Sequence, residues 1–249
     1  MNRFITILSC AFAVSSFAYM FRNDSIFGLK LGLLALVLLI VAYRIEYLLK
    51  TNGNAFVNRF VYFFTKSDKR YNYKSRYFVY SRISDKEYSF EKTYDIYPTC
   101  SDLDSISDRF SWSAPSTGSK IISSEKTHEI SNTWQQDMWT CFTIYFRECC
   151  TKHEIYKTGS IITDLFDEKI VAVPYLSATI DRKTEQIILV AKIPRSMNPT
   201  NACLKVYSAK NTVNEVYSLP LEYDDSVGGF KVIVKYPRKG WKYVITWQY

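Results

Sequence analysis

The pattern of apolar and polar residues changes twice along this chain, from unbroken apolar stretches to a recurrence three and four apart and then to a period of two. Residues 31–43 carry no charge, and the apolar run extends backwards through Ile26, Phe27 and Leu29. It passes Lys30, whose stem can lie along apolar surface while the ammonium reaches water. A span with one charge near its end approaches the roughly 20 residues, at about 1.5 Å each, that a bilayer core requires. No polar stripe interrupts 31–42, which argues against a helix buried on one side only. The pattern predicts a transmembrane helix over 26–49.

A second apolar stretch, 4–21, lies between Arg3 and Arg22. One reading is a signal peptide, with Asn2 and Arg3 ahead of the apolar region and Ser15, Ser16 and Ala18 near a cleavage point. The other is a first span joined to the second by the turn Arg22, Asn23, Asp24 and Ser25. The hairpin is preferred, because the second span follows so closely that cleavage leaves almost nothing ahead of it. Gly28 and Gly32, four apart, form a small-residue face on which another helix can pack. Arg44 follows the uncharged run near the end of the second span, and Lys50, Arg59, Lys66, Lys69 and Arg70 lie beyond the span, whereas the turn carries little beyond Arg22. That asymmetry predicts a multi-pass protein of the inner membrane with its large domain in the cytoplasm.

Thr51, Asn52, Gly53 and Asn54 break the helical pattern, and Phe56, Val57, Phe60, Val61, Phe63 and Phe64 then recur three and four apart. This is the period of a short amphipathic helix. With Arg59, Lys66, Lys69 and Arg70 around it, 51–70 reads as a basic juxtamembrane segment, either an interfacial helix lying on lipid or a first helix packed on the following domain. Nine of the 32 basic residues and three of the 24 acidic ones fall within 1–70, so this part carries six of the net eight positive charges. Such a collar attracts anionic lipid, at about 1 kcal/mol per Lys or Arg. The nearly neutral remainder shows no basic stripe, and direct nucleic-acid binding is not expected.

From Lys74 the period becomes two. Residues 76–83 and 87–96 read as strands joined by a turn at Ser84, Asp85 and Lys86. Residues 98–120, rich in Ser, Asp and Pro, predict a long exposed loop. Ser124 opens a predicted helix through Trp139, with Ile130, Trp134 and Met138 on one face, and 140–147 alternates as a strand. Six further runs, 169–180, 186–193, 202–208, 213–221, 230–236 and 241–247, are separated by turn-like segments. The predicted fold is therefore an N-terminal transmembrane α-helical hairpin followed by a mostly antiparallel β domain, a sandwich or small barrel, over 71–249. Whether that region is one sheet system or two parting near residue 165 stays open.

Candidate chemistry is sparse. His128 and His153 are the only histidines, and neither stands in a metal-ligand spacing. Cys150 and His153 form a conceivable thiolate and imidazole pair, but residues three apart in an extended segment point to opposite faces, so a core cysteine and a surface histidine are preferred. Cys100, Cys141, Cys149 and Cys203 make no CxxC pair, and reduced thiols are expected. Asp102 and Asp104 read as solvated turn carboxylates, and Gly228 and Gly229 lead into a strand rather than a phosphate-binding helix. Trp112, Trp134, Trp139, Trp241 and Trp247 either line a stacking pocket or fill the core, the latter being preferred. No catalytic residue, metal, cofactor or ligand site is assigned, and the chain is not expected to be an enzyme.

The layout of paired spans over 4–49, a basic junction and a β-rich domain from Lys74 onward resembles bacterial antiphage membrane effectors. These are the two-helix transmembrane effectors encoded with retrons and the two-transmembrane, β-rich effectors of cyclic-oligonucleotide systems. The Gly-x-Trp strand of the second group is not found after the spans. The resemblance implies an abortive-infection toxin that compromises the inner membrane when triggered. Its partners are then membrane lipids, further copies of itself through the hairpin, and a protein or ribonucleoprotein regulator, such as a reverse transcriptase with its non-coding RNA and DNA. The alternative is a non-enzymatic assembly or docking component of an envelope complex.

Overall fold

A computed structural model describes residues 55–84, 86–111, 119–165, 174–208 and 211–249. Alternation of large apolar side chains makes β1 (Tyr71–Arg82) and β2 (Glu87–Pro98) a hairpin, antiparallel from Tyr71↔Pro98 to Arg82↔Tyr88. Phe78, Tyr80, Tyr88, Tyr94 and Ile96 are buried. This hairpin is the middle of a six-stranded sheet. On the β2 side follow β7 (Tyr156–Leu165) and then β4 (Lys120–Ser123). On the β1 side follow β9 (Thr184–Lys192) and then β12 (Gly229–Lys235). The β1–β9 pair is parallel. Strands from before and after residue 165 thus share one sheet.

Two smaller sheets complete the core. One has the order β11 (Asn211–Pro220), β10 (Thr200–Ser208), β13 (Lys242–Gln248), β8 (Tyr175–Thr179). The other has the order β3 (Leu103–Phe110), β6 (Trp139–Cys150), β5 (Glu129–Gln136). Leu204, Val206, Tyr243, Ile245 and Trp247 from the first and Leu103, Ile106, Phe110, Phe142 and Ile144 from the second join the buried face of the large sheet in one apolar cluster. The Trp247 ring lies 5.3 Å from that of Tyr80, which ties β13 to β1.

Several sequence expectations are corrected. The helix α1 (Ala55–Phe64) has ten residues, about 15 Å of rise and half a hydrocarbon core. Among the described residues no helix is long and apolar enough to cross a membrane. The fold class is corrected accordingly, from a transmembrane hairpin with one sandwich or barrel to three sheets around a shared core with a short helix. The multi-pass inner-membrane placement, which rested on those spans, is corrected with it; the segments 4–21 and 26–49 lie outside the described residues. The loop expected over 98–120 contains β3. The helix expected over 124–139 is instead β5, followed by the turn at Asp137, whose φ of 54° is left-handed, and Met138.

Candidate functional site

Helix α1 has the period its sequence predicts, but the side facing the sheets is not its most apolar one. Asn58 is buried, and Val61, Tyr62 and Thr65 are half-buried along the same side. Arg238 Nε donates to Asn58 Oδ1 at 3.2 Å. The Tyr62 ring lies 5.1 Å from that of Tyr236, Lys183 Nζ sits 4.5 Å from its centroid, and its hydroxyl donates to Glu185 Oε1 at 3.2 Å. Burial, and then the Glu185 carboxylate, push the Tyr62 phenol well above the usual tyrosine range. These polar anchors fix the helix with Phe60, Phe63 and Phe64 turned outward, 58%, 65% and 75% exposed. Phe60 and Phe64 pack ring on ring at 4.7 Å, and the Arg59 guanidinium lies 5.8 Å from the Phe63 ring.

The segment after the helix keeps positive charge at this surface. Lys66 and Lys69 are exposed and have no acidic partner among the described residues. Arg70 makes an exposed contact with Asp104, Nη2 to Oδ1 at 3.4 Å. Asp68, the acid among them, is turned away: it accepts from Lys239 Nζ at 2.8 Å and from the backbone N–H of Lys183 at 3.1 Å. Behind the helix, Tyr62, Tyr73, Tyr97, Lys183 and Glu185 line a half-open groove of about 420 Å³.

The other sequence candidates do not converge. Gly28, Gly32, Arg44, Lys50 and Trp112 lie outside the described residues. Cys150 is buried opposite Leu103, and burial pushes its thiol up to about 11. His153 is exposed, with Nδ1 3.2 Å from the Tyr97 hydroxyl, so the two do not form a pair. Asp104 faces Arg70 and Ser105 at the surface. Trp247 is core, Trp134 is exposed, Trp139 lies under the Arg109 guanidinium and Trp241 under that of Arg238. No group of three potential metal ligands occurs among the described residues. The sequence left open whether the aromatic side of α1 faces outward or packs on the domain, and the feature that goes with the outward turn is polar: Asn58 is buried on the side that faces the sheets.

No family model and no curated protein matches this chain. Among solved structures, similarity is found to an M1 zinc metallopeptidase from Deinococcus radiodurans. It has 8% identity and a TM-score of 0.32 over 74% of this chain and 40% of that one. A mutant of the same enzyme, including a form bound to a Tyr-Ser-Ala substrate, gives the same identity and score over 73% and 40%. The chain thus spans about 40% of the length of those structures, and at such a score neither fold nor activity is carried across.

Proposed function

We propose that this chain is a non-enzymatic docking component, attached to its partner through the outward aromatic face of α1. The observation that carries this reading is the inversion of the helix, with Asn58 inside and Phe60, Phe63 and Phe64 outside. Three adjacent exposed phenylalanines are poor use of apolar side chains in a free molecule and good anchors for a contact. The antiphage-effector function implied by the resemblance rests on the segments 4–21 and 26–49, which lie outside the described residues.

Occupancy of the face in the living cell is the test. Phe63→Cys and, as a control, Ile233→Cys on β12 are treated with a maleimide in intact cells and after purification, and labelling is read peptide by peptide to separate the native thiols. Position 63 should be protected in cells and reactive when purified, while position 233 reacts equally in both. Free labelling of position 63 in cells sinks the proposal.

A further inference from the structure

Resting on the docking reading of α1, we infer that its aromatic face seats peripherally on the headgroup region of an anionic lipid surface, a contact that needs no membrane span. Area and charge decide between the possible occupants. Three phenylalanines of about 200 Å² each, exposed 58%, 65% and 75%, offer roughly 400 Å². A stable protein interface takes about 800 Å² from each partner, so this face supplies about half of one side. A bilayer sets no such threshold, because every ring that enters the headgroup boundary contributes without shape complementarity. A second copy of the chain is disfavoured on charge, since a symmetric pairing of α1 brings Arg59, Lys66 and Lys69 against their own images. The same three cations complement an anionic surface, and the acid that would oppose them, Asp68, is held by Lys239. The phenylalanines sit at i, i+3 and i+4, so their rings leave the helix on one side and reach a plane together.

The experiment uses the full chain carrying Phe64→Trp, read against the five native tryptophans of the wild type. Vesicles are either phosphatidylcholine alone or equal parts phosphatidylcholine and phosphatidylglycerol, with brominated acyl chains as quencher. Fluorescence from Phe64→Trp above the wild-type background should be quenched on the anionic vesicles and not on the neutral ones, whereas Ile233→Trp, 49% exposed at the native residue, should give no added quenching on either. Adding Lys66→Gln and Lys69→Gln should weaken the anionic binding about 30-fold. The inference is overturned if Phe64→Trp is unquenched, if quenching is equal on both vesicles, or if the lysine changes have no effect. An unquenched Phe64→Trp together with protection of position 63 in cells leaves the docking reading standing and assigns the face to a protein; loss of both removes the docking reading as well.

Discussion

Lys92 Nζ on β2 donates to Asp108 Oδ1 on β3 at 2.9 Å, with the two side chains only 4% and 12% exposed. The bond joins the six-stranded sheet to the three-stranded one. Lys92 also donates to the Arg109 carbonyl at 2.6 Å, and the Tyr94 hydroxyl donates to Asp108 Oδ2 at 2.9 Å, so the carboxylate is held from two strand positions. Removing one partner leaves a buried charge without compensation, which costs about 3–5 kcal/mol. Asp108→Ala should therefore lower unfolding free energy in urea by that order, whereas Lys92→Met with Asp108→Leu should recover most of the loss. If Asp108→Ala is neutral, the pair is not what holds β3 on β2. Burial already draws the Lys92 ammonium below the usual lysine range, opposed by Asp108. A lysine with a depressed folded pKa favours its neutral form. In Asp108→Asn, stability should consequently rise with pH as Lys92 is deprotonated, up to the unfolded lysine value of about 10.4.

A second prediction concerns the pairing of β2 with β7. Gly159 stands opposite Thr93, and a Cβ there would run into the Lys92 carbonyl oxygen. The obstacle is backbone in mid-sheet, which cannot swing aside. Gly159→Ala should cost about 3 kcal/mol, the upper range of overpacking. Gly228 provides the contrast: its φ of +66° is left-handed but nothing lies within 4 Å of a Cβ. Gly228→Ala should cost only the conformational term, about 1–2 kcal/mol. Equal losses by chemical denaturation would show that steric approach is not the deciding difference.

Acid should expose the role of Asp68. Burial works to raise its carboxyl, but the Lys239 side chain and the Lys183 backbone N–H outweigh it and hold the carboxyl below the usual range. A carboxyl with a depressed folded pKa contributes stability that is complete above the unfolded value, about 3.9, and is lost as pH falls through the folded one. Asp68→Asn should be less stable than wild type at neutral pH, and the two curves should converge below about pH 4. Parallel curves down to strongly acid pH would remove Asp68 from the acid transition.

Much of this β architecture was legible in the sequence. The β1–β2 hairpin and the run from β9 to β13 have clean alternation and turn-like separators, which are local signals. Where reading failed, a particular residue broke the period. Leu103 and Ile106 are three apart, and the register shift between Leu103 and Ser105 restores a common inward side only once the strand is paired. Ile130, Trp134 and Met138 recur every four residues, a spacing shared by a helical stripe and one face of a strand, and β5 adds its own shift between Ser131 and Trp134. Parallel pairing of β1 with β9 depends on contacts more than a hundred residues apart and leaves no local trace. For α1 the helix was readable, but its direction depended on partners, Arg238 and Glu185, that only the fold brings to Asn58 and Tyr62.

Adjacent cysteines give a fourth test. Cys149 is exposed and Cys150 buried, with the Cys150 thiol pushed up to about 11 by burial and by the neighbouring thiols of Cys149 and Cys100. Alkylation depends on thiolate and access together. At mildly alkaline pH, iodoacetamide should modify Cys149 well before Cys150, as read by peptide mass, and Cys150 should react only on unfolding or near pH 11. Faster labelling of Cys150 would mean an activated thiol and would reopen the nucleophile reading.

The aromatic face of α1 makes the last prediction, because a docking surface and a core contact respond oppositely to truncation. Among the described residues Phe63, 65% exposed, has only the Arg59 guanidinium at 5.8 Å and the edge of Tyr62 at 6.1 Å as ring neighbours. Phe63→Ser should change unfolding free energy by no more than about 0.5 kcal/mol. Asn58 is the opposite case. It is buried and accepts from Arg238 Nε, so Asn58→Leu leaves that donor without its partner and should cost about 1–3 kcal/mol despite adding apolar surface. Urea midpoints of the two variants, measured side by side, decide the matter. Should Phe63→Ser destabilise the chain as much as Asn58→Leu, the phenylalanine face belongs to the fold itself, and neither a protein nor a lipid surface is needed to account for it.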